Sequence, residues 1–217
     1  MNESPTELYE ALAQGQGKIP EDPRLIGALR QKVVEAQRSA DLMARRDALA
    51  VCRAMRTRDG LEWMLAFASD PDPILRREAL QEGLDAEADG MFLVRAFLDD
   101  PDPDLCLEVV AVLTERADRT ATTRVRGLMA HSDPRVRASA AHLLGFIAGP
   151  VVRPVLQRAV REDDDPQVQK AAEQAVERID GLLSRSHPTR WSPAAAPTST
   201  PATPTPAAPP QAVAPPV

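Results

Sequence analysis

The sequence predicts an all-α protein, a right-handed α-solenoid of about five helical hairpins with a disordered Pro-rich C-terminal tail. The first observation behind this prediction is an Asp-Pro pair that recurs with prolines 30, 31 and 32 residues apart. The second is that apolar residues keep the same positions relative to each proline. A period of this length indicates stacked helical repeats, whose prolines are Pro73, Pro103, Pro134 and Pro166.

Each Asp-Pro pair predicts the start of the second helix of a hairpin. An Asp at the N-cap accepts hydrogen bonds from free backbone amides, and a Pro in the first turn has a φ angle that suits the helix. Two, six and ten residues after each proline the side chains are apolar or small, which is the spacing of one helical face. We expect these columns in the core: Leu75, Leu105, Val136 and Val168; Ala79, Val109, Ala140 and Ala172; Gly83, Leu113, Leu144 and Val176.

A shorter apolar segment before each pair predicts the first helix of the hairpin, over 61–68, 91–98, 121–130 and 151–161. An earlier, degenerate copy is also present, because residues 45–49 match residues 76–80 at a spacing of 31. Its partner helix is predicted over 24–40, and a short leading helix over 5–13. These segments together give about five helix pairs.

The composition changes abruptly near residue 187. Residues 187–217 contain 10 of the 21 prolines, no acidic residue, and Arg190 as their only permanent charge. Proline removes amide donors and fixes φ, so this stretch cannot build a core. We therefore predict a leading helix and linker (1–21), a repeat domain (22–186) and a disordered tail rich in Pro, Ala and Thr (187–217).

Two roles stay open for the tail. Its composition is typical of a spacer, whereas two PxxP segments are typical of ligands for proline-binding domains. Trp191, the one aromatic residue of the tail, is a candidate for docking on the folded part or on a partner.

Residues 133–145, with the sequence DPRVRASAAHLLG, carry a family resemblance. They resemble the D-P-x-V-R-x-x-A-A-x-x-L-G signature of HEAT repeats, in the short bacterial form seen in phycobilisome-lyase-like proteins. Residues 72–79 are nearly as close, and the resemblance covers roughly residues 41–179. It implies that the predicted hairpins are HEAT-like, and it says more about architecture than about activity.

The resemblance also implies a role for one recurring arginine. In the family, the Arg three residues after the proline bonds acidic groups at neighbouring turns, so we expect this of Arg76 and Arg137. Cys106 and Gln169 stand at the same position in the other two copies. The ladder of arginine contacts is therefore expected to be interrupted at these two repeats.

Composition and motifs favour a soluble, cytoplasmic protein that is not an enzyme. The 217 residues carry a net charge of -6, which disfavours a main role in binding nucleic acid. The chain has no apolar run of the roughly 18–20 residues that a membrane span needs, and its acidic N-terminus lacks the pattern of a secretory signal. It also lacks a phosphate-binding glycine loop, a G-x-S-x-G elbow and an HExxH motif, so we expect no cofactor and no catalytic residue.

Several single residues invite a chemical role and are predicted to have a structural one. Cys52 and Cys106 lie in apolar runs and are expected to be buried, reduced thiols. His131 precedes an Asp-Pro cap and is expected in a turn. The acidic runs before the helices are expected to cap amides instead of binding a metal, because they lack the ligand alternation of a calcium loop.

The second helices of such solenoids usually line the concave surface, and the positions between the apolar columns point into it. These positions form a candidate binding face that is acidic in the middle and more basic toward its C-terminal end. A mixed-charge face suits a protein segment better than a nucleic-acid backbone. The candidate residues are Arg77, Glu78, Gln81, Asp104, Glu108, Glu115, Arg135, His142, Lys170, Gln174 and Arg178. Leu107 and Phe146 lie on the same face, either as apolar anchors or packed against neighbouring repeats.

The leading hypothesis is a non-enzymatic scaffold or adaptor that binds a protein or peptide on its concave surface. One alternative is a subunit of a chromophore-lyase-like modifying complex, as some similar bacterial proteins are. A second is a nucleic-acid-binding helical-repeat protein, and a third is homotypic stacking through the end repeats. The sequence identifies neither the partner nor the oligomeric state.

Overall fold

A computed structural model describes residues 4–186 of the chain. This described part contains eleven α-helices and no β-strand. The predicted tail, with Trp191 and both PxxP segments, lies outside the described residues. The helices are α1 (Pro5–Ala13), α2 (Pro23–Gln37), α3 (Leu42–Met55), α4 (Arg58–Met64), α5 (Pro73–Asp85), α6 (Glu87–Val94), α7 (Pro103–Glu115), α8 (Thr122–Gly127), α9 (Pro134–Ile147), α10 (Arg153–Glu162) and α11 (Pro166–Ser186).

The helices form a solenoid of five hairpins, as predicted: α2 with α3, α4 with α5, α6 with α7, α8 with α9, and α10 with α11. Second helices also pack against each other, α3 against α5, α7 against α9 and, most extensively, α9 against α11. The helix α1 packs on α2 and α3, and its Leu8 and Leu12 are buried in the same core as the repeats. The predicted leading helix therefore covers the first hairpin.

The Asp-Pro pairs start the second helices in the predicted way. The side chain of Asp72 accepts hydrogen bonds from the amides of Ile74 and Leu75 at 2.8 and 3.3 Å. The three later caps repeat the bond to the amide two residues on, with Asp102, Asp133 and Asp165 as acceptors. Each cap of this kind is worth about 1 kcal/mol, so the register of every hairpin is fixed where its second helix begins.

The first helices are less regular than the sequence predicted. Three of them continue directly into a 3₁₀ turn, at Leu65–Ser69 after α4, Arg95–Asp99 after α6 and Leu128–Ala130 after α8. Such turns tighten the end of a helix. The residue that follows each turn is extended, which brings the chain to the Asp-Pro cap.

The predicted apolar columns form one continuous core. The columns two and six residues after each proline are at most 1% exposed in all four copies. The position seven residues after the proline is buried and apolar in three copies, as Leu80, Val110 and Ala141, but it is the exposed Glu173 in α11. The last described repeat thus has the polar outer face of a capping repeat.

Two helix crossings depend on glycine because the backbones approach closely. A Cβ atom at Gly90 in α6 would lie 1.9 Å from the carbonyl oxygen of Gly83 in α5. A Cβ atom at Gly145 in α9 would lie 2.8 Å from the Cβ of Ala175 in α11. Both distances are too short for any side chain, so these crossings require glycine.

Candidate functional site

Arginine–aspartate pairs, two of them buried and the third half-buried, connect successive hairpins. In each pair the arginine Nε donates to a carboxylate of the next hairpin, and its Nη1 donates to backbone carbonyls of its own loop. The expectation for Arg76 and Arg137 is therefore confirmed, and the degenerate first repeat adds a third pair. The pairs, each with an N···O distance of 2.9 Å, are Arg45–Asp70, Arg76–Asp100 and Arg137–Asp163.

The aspartates of these pairs also organise the following cap. The second carboxylate oxygen of Asp70 accepts from the amide of Asp72 at 2.8 Å, and Asp100 and Asp163 do the same at 2.8 and 3.0 Å. The acidic runs were predicted to cap amides as a whole, and the pairing of their first aspartates with arginine was not predicted. The hydrogen bond and charge of Arg137 hold the pKa of Asp163 below its ordinary value.

The ladder of arginine contacts is interrupted at Cys106, as expected. The aspartate that would pair with an arginine at this position is replaced as well. His131 occupies the position of Asp100 and Asp163 in the next hairpin, two residues before the capping aspartate. Its Nδ1 accepts from the amide of Asp133 at 3.0 Å, so His131 is the predicted turn residue. The Cys106 thiol donates to the carbonyl of Asp100 at 3.2 Å. This junction keeps its loop hydrogen bonds but lacks the buried ion pair.

The second interruption lies at the end of the ladder. The side-chain amide of Gln169 donates to the carbonyl of Asp163 at 2.6 Å, which replaces the loop contact that an arginine would make. The ladder holds hairpins together and is largely buried, so it offers no binding surface. The candidate site must be sought on the exposed face of the second helices.

Most predicted site residues of α5 and α7 already have polar partners within the protein. Arg77 lies 3.5 Å from Glu108 and 3.7 Å from Asp102. The other contacts of this set are Arg135–Asp104, Arg53–Glu78 and Gln81–Asp85. These charges are partly neutralised within the protein, which lowers their availability to a partner.

A groove of about 730 Å³ lies between α7, α9 and α11. We call it the proximal groove. Its floor is apolar, with Leu107, Val110, Ala111, Ala138 and Ala171, and its rim is polar, with Thr114, Glu115, Ser139, His142, Gln167, Lys170 and Gln174.

Four predicted site residues therefore lie together on this rim, namely Glu115, His142, Lys170 and Gln174. Among residues 4–186, the side chains of Glu115, Lys170 and Gln174 form no hydrogen bond and no ion pair. This distinguishes the rim from the paired charges of the N-terminal half.

A second depression, the distal groove, continues along α11 and has a volume of about 500 Å³. It shares His142 and Gln174 with the proximal groove and also includes Glu177, Arg178 and Arg185. Its remaining lining residues are Ala175, Gly181 and Leu182.

Beside the distal groove, the guanidinium carbon of Arg178 lies 3.7 Å from the ring centroid of Phe146, and the His142 ring is tilted against the same ring at 4.8 Å. Phe146 is 40% exposed, so it is available on this face and is not packed in the core.

The small residues that create the proximal groove were not among the predicted site residues. Ala138 and Ser139 of α9 occupy the positions that Arg77 and Glu78 fill in α5. Short side chains on the middle helix leave space between the longer ones on α7 and α11. An ungapped comparison of the four copies would show this exchange of charged for small residues.

The described residues contain no metal-binding cluster, and both of their thiols are buried. No cluster of three or more His, Cys, Asp or Glu side chains in the described range is placed to hold a metal ion. Burial raises the pKa of the Cys52 thiol to about 12 and that of Cys106 to about 11, so both stay protonated at neutral pH. No helix within residues 4–186 is long and apolar enough to cross a membrane.

A family model agrees with this architecture. The family model for HEAT repeats matches residues 91–177, which run from α6 into α11. No curated protein matches the sequence. A solved structure of human deoxyhypusine hydroxylase in complex with glycerol is similar with 21% identity and a TM-score of 0.49, over 65% of this chain and 50% of that chain. This chain thus aligns with half the length of that protein. The family match covers 87 of the 217 residues, so the comparison shows HEAT repeats over 91–177, and the Asp-Pro hairpin before this range repeats the same pattern.

Proposed function

We propose that the protein is a non-enzymatic interaction module that holds a segment of a partner protein in the proximal groove. The observation that carries this proposal is an apolar floor bordered by Glu115, Lys170 and Gln174, whose side chains form no hydrogen bond or ion pair within residues 4–186. Helical-repeat solenoids bind partners on extended surfaces of this kind.

The charges on the rim favour a particular orientation of the bound segment. Glu115 lies on α7 and Lys170 lies on α11, with the small residues of α9 between them. A segment that crosses the groove is complementary when it places a basic side chain near Glu115 and an acidic one near Lys170. Apolar side chains between these two contact the floor at Leu107 and Ala138.

The absence of enzymatic activity is part of the proposal. The two thiols are protonated and buried, so neither supports nucleophilic catalysis. The ring of His142 contacts Phe146, and no described carboxylate bonds it as an orienting group would. The mixed charges of the rim speak against nucleic acid, and no described contact favours a modifying complex.

Charge reversal at one rim residue tests the groove assignment. Immobilised wild-type protein, Lys170→Glu and Arg161→Glu are exposed to lysate of the native host, and captured proteins are identified by mass spectrometry. Arg161 is a matched control, because it is an exposed cation on α10 of the same hairpin and lies outside both grooves.

The expected result is a protein that wild type and Arg161→Glu capture and that Lys170→Glu loses. Identical capture by all three proteins contradicts the groove assignment. Circular dichroism of each variant verifies that the helices are intact.

A further inference from the structure

Three cationic side chains follow one face of α11. Lys170, Arg178 and Arg185 are exposed, and none of them forms an ion pair within residues 4–186. They are spaced eight and then seven residues apart, which is close to two helical turns in each case, so the three side chains lie in one row. The row is about 22 Å long along the helix axis. We call it the cationic row.

The cationic row joins the two grooves. Lys170 belongs to the rim of the proximal groove, whereas Arg178 and Arg185 line the distal groove. His142 and Gln174 line both grooves, so the two depressions are adjacent along α11. A segment held in the proximal groove therefore meets the other two cations when it continues toward the C-terminal end of α11.

Phe146 prepares Arg178 for contact with a carboxylate. The guanidinium carbon of Arg178 lies 3.7 Å from the centroid of the Phe146 ring, which holds the group at this place on the surface. A guanidinium that lies over a ring keeps N–H donors at its edge, and these donors suit the two oxygens of a carboxylate. No carboxylate among residues 4–186 uses them. Arg178 thus differs from Arg77 and Arg135, which already contact acidic side chains of α7.

The charges around the row favour an acidic protein segment over a nucleic acid. Two cations and one carboxylate, Glu177, line the distal groove. The cations of the row are about 12 and 10 Å apart along the axis, which equals three to four residues of an extended chain. The phosphates of a nucleic-acid strand follow each other about every 3.4 Å, so most of them would meet no cation and some would lie near Glu177.

We propose that the segment bound by this protein is acidic and runs along α11, with its carboxylates paired to Lys170, Arg178 and Arg185. The inference rests on the proposed function and names the chemistry of its partner. Where the segment follows the cationic row, it carries an acidic side chain at about every third or fourth position. At its other end, a basic side chain near Glu115 on α7 completes the match of charges.

Fluorescence anisotropy with a labelled oligo-glutamate tests the cationic row. The peptide is long enough to span the row, and it is titrated with the full-length protein at low ionic strength, where charge pairing is strongest. Loss of an exposed ion pair weakens binding about two- to fivefold. Arg178→Ala combined with Arg185→Ala should therefore weaken binding of oligo-glutamate about 4- to 25-fold.

A second double variant, Arg126→Ala with Arg161→Ala, is the matched control. It removes the same net charge from exposed positions on α8 and α10 that lie outside both grooves. We expect it to bind oligo-glutamate almost as tightly as the wild type does. Circular dichroism verifies that both double variants keep their helices.

The partner class is tested in the same assay with single-stranded DNA of equal charge, which we expect to bind more weakly than oligo-glutamate. Three results overturn the proposal: no binding of oligo-glutamate by the wild type, equal losses in the two double variants, or tighter binding of the DNA. Arg178 and Arg185 lie outside the proximal groove, so any of these results leaves the proposed function to be judged by the capture experiment with Lys170→Glu.

Discussion

Arg76 and Arg77 are adjacent in α5 and provide a matched pair for testing the ladder. The Arg76 side chain is 9% exposed and its partner Asp100 is 0% exposed. The Arg77 side chain is 55% exposed, and its partners lie at 3.5 and 3.7 Å. Replacement by alanine removes the same charge at both positions but leaves very different surroundings.

The expected losses of unfolding free energy differ several-fold between Arg76→Ala and Arg77→Ala. Arg76→Ala leaves the Asp100 carboxylate buried without a cation and removes the donor to the carbonyl of Asp70, and breaking such a pair costs about 3–5 kcal/mol. Arg77→Ala removes exposed pairs, which are worth about 0–1 kcal/mol. Combining Arg76→Ala with Asp100→Asn should recover part of the loss, because the second change removes the buried charge.

Urea unfolding followed by circular dichroism at neutral pH measures these free energies from the midpoint and slope of each transition. The wild type and the three variants are compared at one protein concentration. Equal losses for Arg76→Ala and Arg77→Ala would refute the argument, because burial would then not determine the worth of the pair. A double variant as unstable as Arg76→Ala would refute the part assigned to the buried charge.

Three further predictions follow from the packing and titration of the described residues. Gly90→Ala should lower the free energy of unfolding by about 1–3 kcal/mol, because the new Cβ would lie 1.9 Å from a carbonyl oxygen of α5. Gly127→Ala is the control and should raise thermal stability slightly, because a Cβ at this position would have no atom within 4 Å. The Cys106 thiol should react with a thiol reagent at pH 8 only after unfolding, because it is buried and its pKa is about 11; rapid reaction of the native protein would contradict this. Because Arg137 lowers the pKa of Asp163 in the folded state, their pair stabilises the protein above the ordinary pKa of Asp and loses this effect as the pH falls through the lowered pKa. The difference in unfolding free energy between wild type and Arg137→Ala should therefore shrink between pH 7 and acidic pH, and a constant difference would argue against the linkage.

The fold was predictable from the sequence because its determinants are local and repeated. Asp72 caps α5, and residues such as Leu75 and Ala79 mark the buried face of the same helix. The partners of the ladder were harder to predict. Asp70 and Asp100 lie in acidic runs that capping already explained, and their arginines are 25 and 24 residues away in sequence. Only the stacking of hairpins reveals those pairs.

The candidate site was predictable only in part, because a groove depends on missing side-chain volume as well as on exposed groups. Glu115 and Lys170 were recognisable as charges on the correct face. The contribution of Ala138 is visible only when three helices are placed side by side. The pairing of Arg77 with Glu108 likewise depends on the distance between two hairpins. Partner binding by these residues stays a prediction.

The junction that lacks a buried ion pair, at Cys106 and His131, lies under the proximal groove between α7 and α9. An ion pair resists angular displacement because its hydrogen bonds are directional, whereas apolar contacts tolerate small rotations. The exposed Arg135–Asp104 contact at this junction is solvated and adds little stiffness. The ionic contacts across this junction lie instead at the first helices, where Arg95 bonds Asp118 and Arg124 bonds the carbonyl of Arg95. The second helices lack a comparable restraint at their N-terminal ends, so a small rotation about these contacts would change the width of the groove.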